Sequence, residues 1–229
     1  QVRAWREATG FCREKLAFLA KAQGLTVSAS TIHRTLQRAG LIRASTKRRR
    51  PRFQNGQVMR PNNCPGLGYL QMDVKYVTPE LSGLPYTCYL YAAMDIHSRY
   101  KVGLLLPKLD EGGALLALYH VTQQFPFPLH YVQTDNGLEF QQRFHAKCAE
   151  LGLEHFYIHK SSPNDNAVIE RSFRTDEEEC FFWLEEAPAD HGELNEWYQA
   201  YLVKYNTIRP HMGINMLTPK EAINLYLKS

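Results

Sequence analysis

The sequence predicts an α/β protein: a five-stranded mixed sheet flanked by helices on both faces, preceded by a small helix-turn-helix module. Two observations lead there. Three strand-like runs follow one another between residues 68 and 106 with short connections, as in an antiparallel meander. After Pro107 helical and strand-like patterns alternate. The 229 residues have room for one full domain and a smaller module. The expected boundaries are 1–42 for the helical module, 43–67 for a basic linker, and 68–229 for the sheet domain with a carboxyl-terminal helical extension.

The helical module comes first. Apolar residues from Leu16 to Ala20 stand among Arg13, Lys15 and Lys21, giving a short helix within Cys12–Leu25 with Gly24 as its stop. A second helix over Ala29–Ala39 places Ile32, Leu36 and Ala39 on one side, with Gly40 at its end. Its other side would present Ser30, Thr31, Arg34, Gln37 and Arg38, residue types that reach base edges and phosphates in a major groove. A helical hairpin that serves only packing has the same local pattern.

Charge decides between them. Residues 1–72 hold 14 Lys and Arg against two acids, Glu7 and Glu14, a net +12; the remaining 13 basic and 21 acidic residues give −8. A segment so biased expects a polyanion, here DNA. Lys47, Arg48, Arg49, Arg50 and Arg52 lie in a proline-punctuated stretch read as an extended linker along the phosphate backbone.

Hydrophobic content of 44% with 22% charged residues is ordinary for a globular protein. No apolar run approaches the ~20 residues of a membrane span, and no secretory leader opens the chain. Five scattered cysteines, never spaced C-x-x-C, argue against a disulfide framework or a zinc cluster. A cytoplasmic, nucleoid-associated protein is therefore expected. Because residue 1 is Gln rather than Met, a longer reading frame is expected too.

In the sheet domain, Leu70, Met72, Val74 and Tyr76 alternate with Gln71, Asp73 and Lys75, a strand with one apolar and one polar face. Residues 79–85 read as a loop, Tyr86–Met94 as a central strand, and Arg99–Leu106 as the third. Asp110 caps a helix through Ala114–Gln123. The fourth strand, His130–Gln133, runs into Asp135-Asn136-Gly137, where the Asn-Gly pair turns the chain and leaves Asp135 at the strand's carboxyl end. A helix over Glu139–Leu151, a strand over His155–His159 and a helix over Asn166–Glu186 follow. Asp190 with Glu193, and Thr218 with Glu221, predict capping boxes for the last two helices.

In this frame Asp73 lies on the polar face of the first strand, Asp135 at the end of the adjacent fourth, and Glu170 on the first turns of the helix after the fifth. Three converging acids would bind two divalent cations and support in-line displacement at a phosphodiester. Oxygen-only ligands favour Mg²⁺ or Mn²⁺.

The chain resembles the DD(E/D) transposases with a retroviral-integrase-type core, RNase H-like in fold, of the bacterial insertion-sequence kind. Gln71-Met72-Asp73-Val74, Met94-Asp95-Ile96-His97-Ser98-Arg99, Thr134–Phe140, Asn166–Arg171, Tyr205–His211 and Thr218–Glu221 carry the resemblance, which spans about 68–225. Between Asp135 and Glu170 stand 34 residues, one fewer than is common in the family. Retroviral integrases also have a His/Cys zinc module at the amino end; its absence here favours the transposon branch.

The resemblance implies a polynucleotidyl transferase that binds terminal inverted repeats, exposes a 3′ hydroxyl and joins it to target DNA. It further implies Asp73, Asp135 and Glu170 as catalytic metal ligands, two Mg²⁺ or Mn²⁺ per site, and a homo-oligomer on double-stranded DNA. Two alternatives share these features: an RNase H-like nuclease without joining activity, and a catalytically silent DNA-binding regulator.

Nearby residues have blander readings. Asp95 is expected to cap a turn, Glu139 to favour the positive end of its helix, and Glu177-Glu178-Glu179 to form a solvated face. Arg174 and Lys160 are phosphate-contact candidates, Arg174 being equally suited to an ion pair. Arg209 and His211 have no defined role beyond packing or DNA contact. Phe173, Phe181, Phe182 and Trp183 are expected in the core.

Overall fold

A computed structural model describes residues 1–9, 13–42, 64–159 and 165–228. Lys47, Arg48, Arg49, Arg50, Arg52 and Lys160 lie outside these residues. The chain divides into two units, Gln1–Pro51 and Arg52–Ser229.

The smaller unit has three helices, α1 (Val2–Thr9), α2 (Arg13–Ala22) and α3 (Ala29–Arg38). Leu16, Ile32 and Leu36 form its centre, with Val2, Trp5, Val27 and Leu41 packed around them. Ser28 caps α3 by accepting a hydrogen bond from the Thr31 amide at 3.1 Å. Ser30, Thr31, Arg34, Gln37 and Arg38 are all exposed on α3. Helix α1 has no counterpart in the sequence reading; among the described side chains its packed apolar side is Val2 and Trp5, too thin a stripe to stand out.

The larger unit is built on strands β1 (Tyr69–Val77), β2 (Cys88–Asp95), β3 (Lys101–Leu106), β4 (Tyr131–Thr134) and β5 (Glu154–Tyr157) in the order β3-β2-β1-β4-β5. The meander β1-β2-β3 is antiparallel, and β4 and β5 join it in parallel. A short helix, α4 (Pro79–Ser82), fills the expected loop, and α5 (Glu111–Gln124), α6 (Gln142–Glu150), α7 (Ala167–Glu179), α8 (His191–Thr207) and α9 (Pro219–Tyr226) complete the unit.

Alternation along β2 divides the core between two faces. Tyr91 and Ala93 meet Ala117, Leu118, Phe140 and Phe144 on one side. Leu90, Ala92 and Met94 meet Ile169, Phe173, Leu194 and Tyr198 on the other. On β1 the expected polar face is polar but not solvated, because α7 covers it: Gln71 is fully buried, and Lys75 pairs with Glu177. Tyr76, placed on the apolar side in the sequence, is exposed.

Two helix boundaries differ from expectation by several residues. Helix α6 starts late because the chain first makes a 3₁₀ turn over Leu138–Phe140. Gln141 then donates its side-chain amide back to the Asn136 and Gly137 carbonyls at 3.1 and 2.9 Å. Helix α7 ends at Glu179 rather than 186, followed by a 3₁₀ turn in which Phe181 stacks on Tyr198 with ring centroids 5.9 Å apart. Phe173 and Phe181 are core residues, whereas Phe182 and Trp183 are 63% and 76% exposed.

At α8, Asp190 accepts from the Gly192 and Glu193 amides, but Glu193 reaches the Ala189 amide and leaves the reciprocal half of the box unmade. Thr218 and Glu221 form the full box at α9. The four described cysteines are free. Among the described residues no helix is long and apolar enough to cross a membrane.

Candidate active site

Parallel pairing of β1 with β4 places Gln71 opposite Gln133. Asp73 and Asp135 each follow two residues later, at the same end of the sheet. Gln71 Nε2 and Gln133 Nε2 both donate to the Asp165 carbonyl, at 2.9 and 2.8 Å. Gln71 Oε1 accepts from the Val168 and Ile169 amides, each at 3.0 Å. One buried glutamine thus satisfies two of the free donors at the start of α7 and fixes the turn that carries Glu170. A Gln-x-Asp pattern recurs on both strands, and that repeat is the sequence signal that would have found these positioning residues.

Each acid is held locally. Asp73 accepts from the Val74 amide at 2.7 Å and from Asn166 Nδ2 at 3.2 Å. Asp135 accepts from the Gly137 amide at 2.9 Å, closing the turn that the Asn-Gly pair predicts. A side chain at Gly137 would stand 2.7 Å from the Glu139 carboxylate, so the missing Cβ makes room for a fourth acid. Glu139 sits on the 3₁₀ turn in the field of Asp135, not at a helix start as expected.

Burial, with the added charges of Asp135, Glu170 and Glu139, pushes Asp73 up to about 7. Burial and the charge of Asp135 raise Glu139 and Glu170 as well. Among the described residues the charges that raise these three groups are carboxylates, so the site concentrates negative charge. Asp73, Asp135 and Glu170 therefore share one electrostatic site. Among the described residues, however, no three His, Cys, Asp or Glu side chains are arranged to hold a metal ion. The donor set itself suits a hard divalent cation: carboxylate oxygens, excess negative charge, and no thiolate or imidazole required.

Asp95 stays outside this site. Its two oxygens accept from the Gly68 and Tyr69 amides and from the Ser98 amide and hydroxyl, at 2.6–3.2 Å, which makes it the capping residue that its turn predicts. Glu177, Glu178 and Glu179 pair with Lys75, Arg174 and Arg209 in turn, correcting the expectation of a merely solvated face. Arg174 takes the ion-pair reading, 2.6 Å from Glu178 on the exposed side of α7. Arg209 holds Glu179 through two nitrogens and lies over the Tyr205 ring, while His211 is buried edge-on to the same ring.

Residues 151–219 match a family described as integrase core domain. Two curated proteins are similar. One is the putative integrase ORF3 of Spiroplasma virus SpV1-C74, 27% identical over 69% of this chain and 48% of that protein. The other is the transposase for insertion sequence element IS904 of Lactococcus lactis, 26% identical over 59% of this chain and 54% of that protein. The chain spans about half the length of both. Among solved structures, the BIV integrase catalytic core superposes with a TM-score of 0.55 at 20% identity, covering 71% of this chain and 95% of that one. The HTLV-2 integrase catalytic core, solved with magnesium, gives 0.54 at 18%, covering 68% and 96%. At such identities the likeness shows the fold, which is RNase H-like.

Proposed function

For a chain that carries an integrase core domain shared with transposases and integrases, we propose DNA transposition: metal-dependent cleavage at the 3′ ends of a mobile element and strand transfer into target DNA. One observation carries this reading. Acids from β1, the end of β4 and the start of α7 crowd into one field in which Asp73 reaches about 7. Burial is the largest cause of that shift and the neighbouring acids add to it, an arrangement that a bound cation would offset.

Asp73, Asp135 and Glu170 would hold two Mg²⁺ or Mn²⁺ ions. Bound there, the cations would activate the attacking oxygen and stabilise the leaving one. The chain's own residues orient the acids. Val74 and Asn166 aim Asp73, Gly137 aims Asp135, and Gln71 seats the helix bearing Glu170. In cleavage, water attacks phosphorus and a 3′ oxygen leaves; in joining, that 3′ hydroxyl attacks a target phosphodiester. Arg34, Gln37 and Arg38, exposed together on α3, suit contact with the element's inverted repeats. Pairing of two DNA ends calls for a homo-oligomer.

Supercoiled plasmid supplied with Mn²⁺ or Mg²⁺ tests the reading. Wild type should nick and join it, and Asp135→Asn and Glu170→Gln should each lose at least about a hundredfold while still binding DNA. Nicking without joined product would select the nuclease; equal activity in wild type and both variants would remove the chemistry from these acids.

A further inference from the structure

A cavity of about 310 Å³ opens in the larger unit between the β2–β3 connection, the first turns of α7 and the segment after α8. Three arginines line it: Arg99, Arg171 and Arg209. Their situations differ. Arg209 is committed to Glu179 through two hydrogen bonds. Arg171 is exposed and makes no ion pair among the described residues. Arg99 is half-buried, and its Nη1 is fully buried with no hydrogen-bond partner.

Among the described residues no side chain hydrogen-bonds to Arg99 Nη1, although the charge of Asp95 favours the guanidinium from a distance. Asp95 lies within its field, but both Asp95 oxygens already accept from four donors. The Arg99 backbone is at φ 65, a left-handed conformation that few non-glycine residues adopt and that is kept where surrounding structure demands it. Gly213 lies against the guanidinium, close enough that a Cβ there would be in van der Waals contact with it, 3.4 Å from Nε. A second cavity also reaches Arg99 and Gly213, so the guanidinium lies at the junction of two spaces.

A buried guanidinium nitrogen without a hydrogen-bond partner is costly, and the planar donor fork matches the oxygens of a phosphate. His211, on the cavity wall, is pushed down to about 4 by burial first and then by Arg209 and Arg99, consistent with a positive interior. Met94, Val168 and Tyr205 supply apolar surface beside the arginines. The space exceeds what a bare phosphate needs and suits one with an organic body attached.

We propose that this cavity is a phosphate-binding site that takes one nucleotide unit, with Arg99 as the buried anchor and Arg171 at the mouth. Arg171 adjoins Glu170 in sequence but points into the cavity, so the ligand would be held on α7 beside the carboxylate site rather than within it. The unit is either part of a nucleic-acid strand or a free nucleotide; the recognition chemistry is the same.

The test is thermal-shift and equilibrium titration of the whole chain in EDTA, in an Asp135→Asn background. Binding then owes nothing to the metal chemistry, and the site stands or falls apart from the transposase reading. The probes are inorganic phosphate, thymidine monophosphate and a 5′-phosphorylated thymidine hexanucleotide. At least one nucleotide probe should raise the melting temperature with saturation. Arg171→Gln should weaken that binding about tenfold, and Arg99→Met should abolish it while melting no lower than its parent in probe-free buffer.

Response to the hexanucleotide alone would identify a strand as the source, and response to the monophosphate would identify a free nucleotide. Failure of all three probes, or equal binding by parent and Arg171→Gln, would overturn the proposal. If Arg99→Met proves unfolded, Arg171→Gln decides alone.

Discussion

Asp73 shows how a single side chain can oppose the fold that carries it. Its carboxyl is raised to about 7 by burial and by neighbouring acids, so the folded chain binds a proton that the unfolded chain releases above the usual carboxylate range. This contribution to stability is present at low pH and is lost as pH rises through 7. Asp73→Asn should therefore stabilise the metal-free protein at pH 8 by roughly 1–3 kcal/mol while abolishing nicking; a lower melting temperature than wild type would show that a charge held there by burial and neighbouring acids does not cost the fold. Gln71 is the counterpart, a neutral residue that the site depends on. Gln71→Ala leaves the Val168 and Ile169 amides without their acceptor and should cost about 2–4 kcal/mol. Its loss of nicking should exceed what unfolding explains, measured at a temperature where the variant is folded. The Asp-Asn-Gly turn made Asp135 easy to read in sequence, whereas Gln71 is marked only by the Gln-x-Asp repeat it shares with Gln133.

At the scale of elements, α7 is the decisive helix. It carries Glu170 and covers the polar face of β1. It also buries Asp176 against Lys101, both side chains fully inaccessible, with the Tyr198 hydroxyl donating to the same carboxylate oxygen. Burial lowers the Lys101 pKa and raises that of Asp176, and their pairing opposes both shifts. Removing one partner strands the other charge. Lys101→Met should cost about 3–5 kcal/mol, and the double variant Lys101→Met with Asp176→Leu should recover much of it; equal losses in single and double variants, by chemical denaturation, would sink this account. The helix itself was legible from Asn166 onward. Its end was not, because Phe181 leaves the helix to stack on Tyr198, a residue 17 positions later.

For the whole molecule the titrating groups combine. Burial first, then His145, pushes His155 down to about 3, while burial with Arg209 and Arg99 brings His211 to about 4. Both stay neutral in the fold and protonate on unfolding below about 6.5. Each thus removes stability as pH falls through the interval between its folded and unfolded values. Asp73 acts in the opposite sense over much of that range, so the three together favour the unfolded state by a net one proton between about pH 6 and 5. Stability from these groups should fall by about 1.4 kcal/mol per pH unit there. His155→Gln should flatten the slope of melting temperature against pH; an unchanged slope would mean that His155 is not the group being charged.

The sequence by itself determined the strand order's logic, the two-faced strand β1 and the helix caps at Asp110 and Thr218, and it singled out the three acids as candidates. Those features are written in short-range terms: alternation, turn chemistry, and the residue types that divalent cations prefer. Tertiary structure alone decided that the polar face of β1 is sealed by α7 and that Gln71 and Gln133 grip the same carbonyl. It also decided that Glu177, Glu178 and Glu179 each find a cation, and that Arg99 Nη1 is buried with no hydrogen-bond partner among the described residues. Such outcomes depend on which side chains from distant segments share a space, and no local pattern encodes whether a buried charge will meet its partner there.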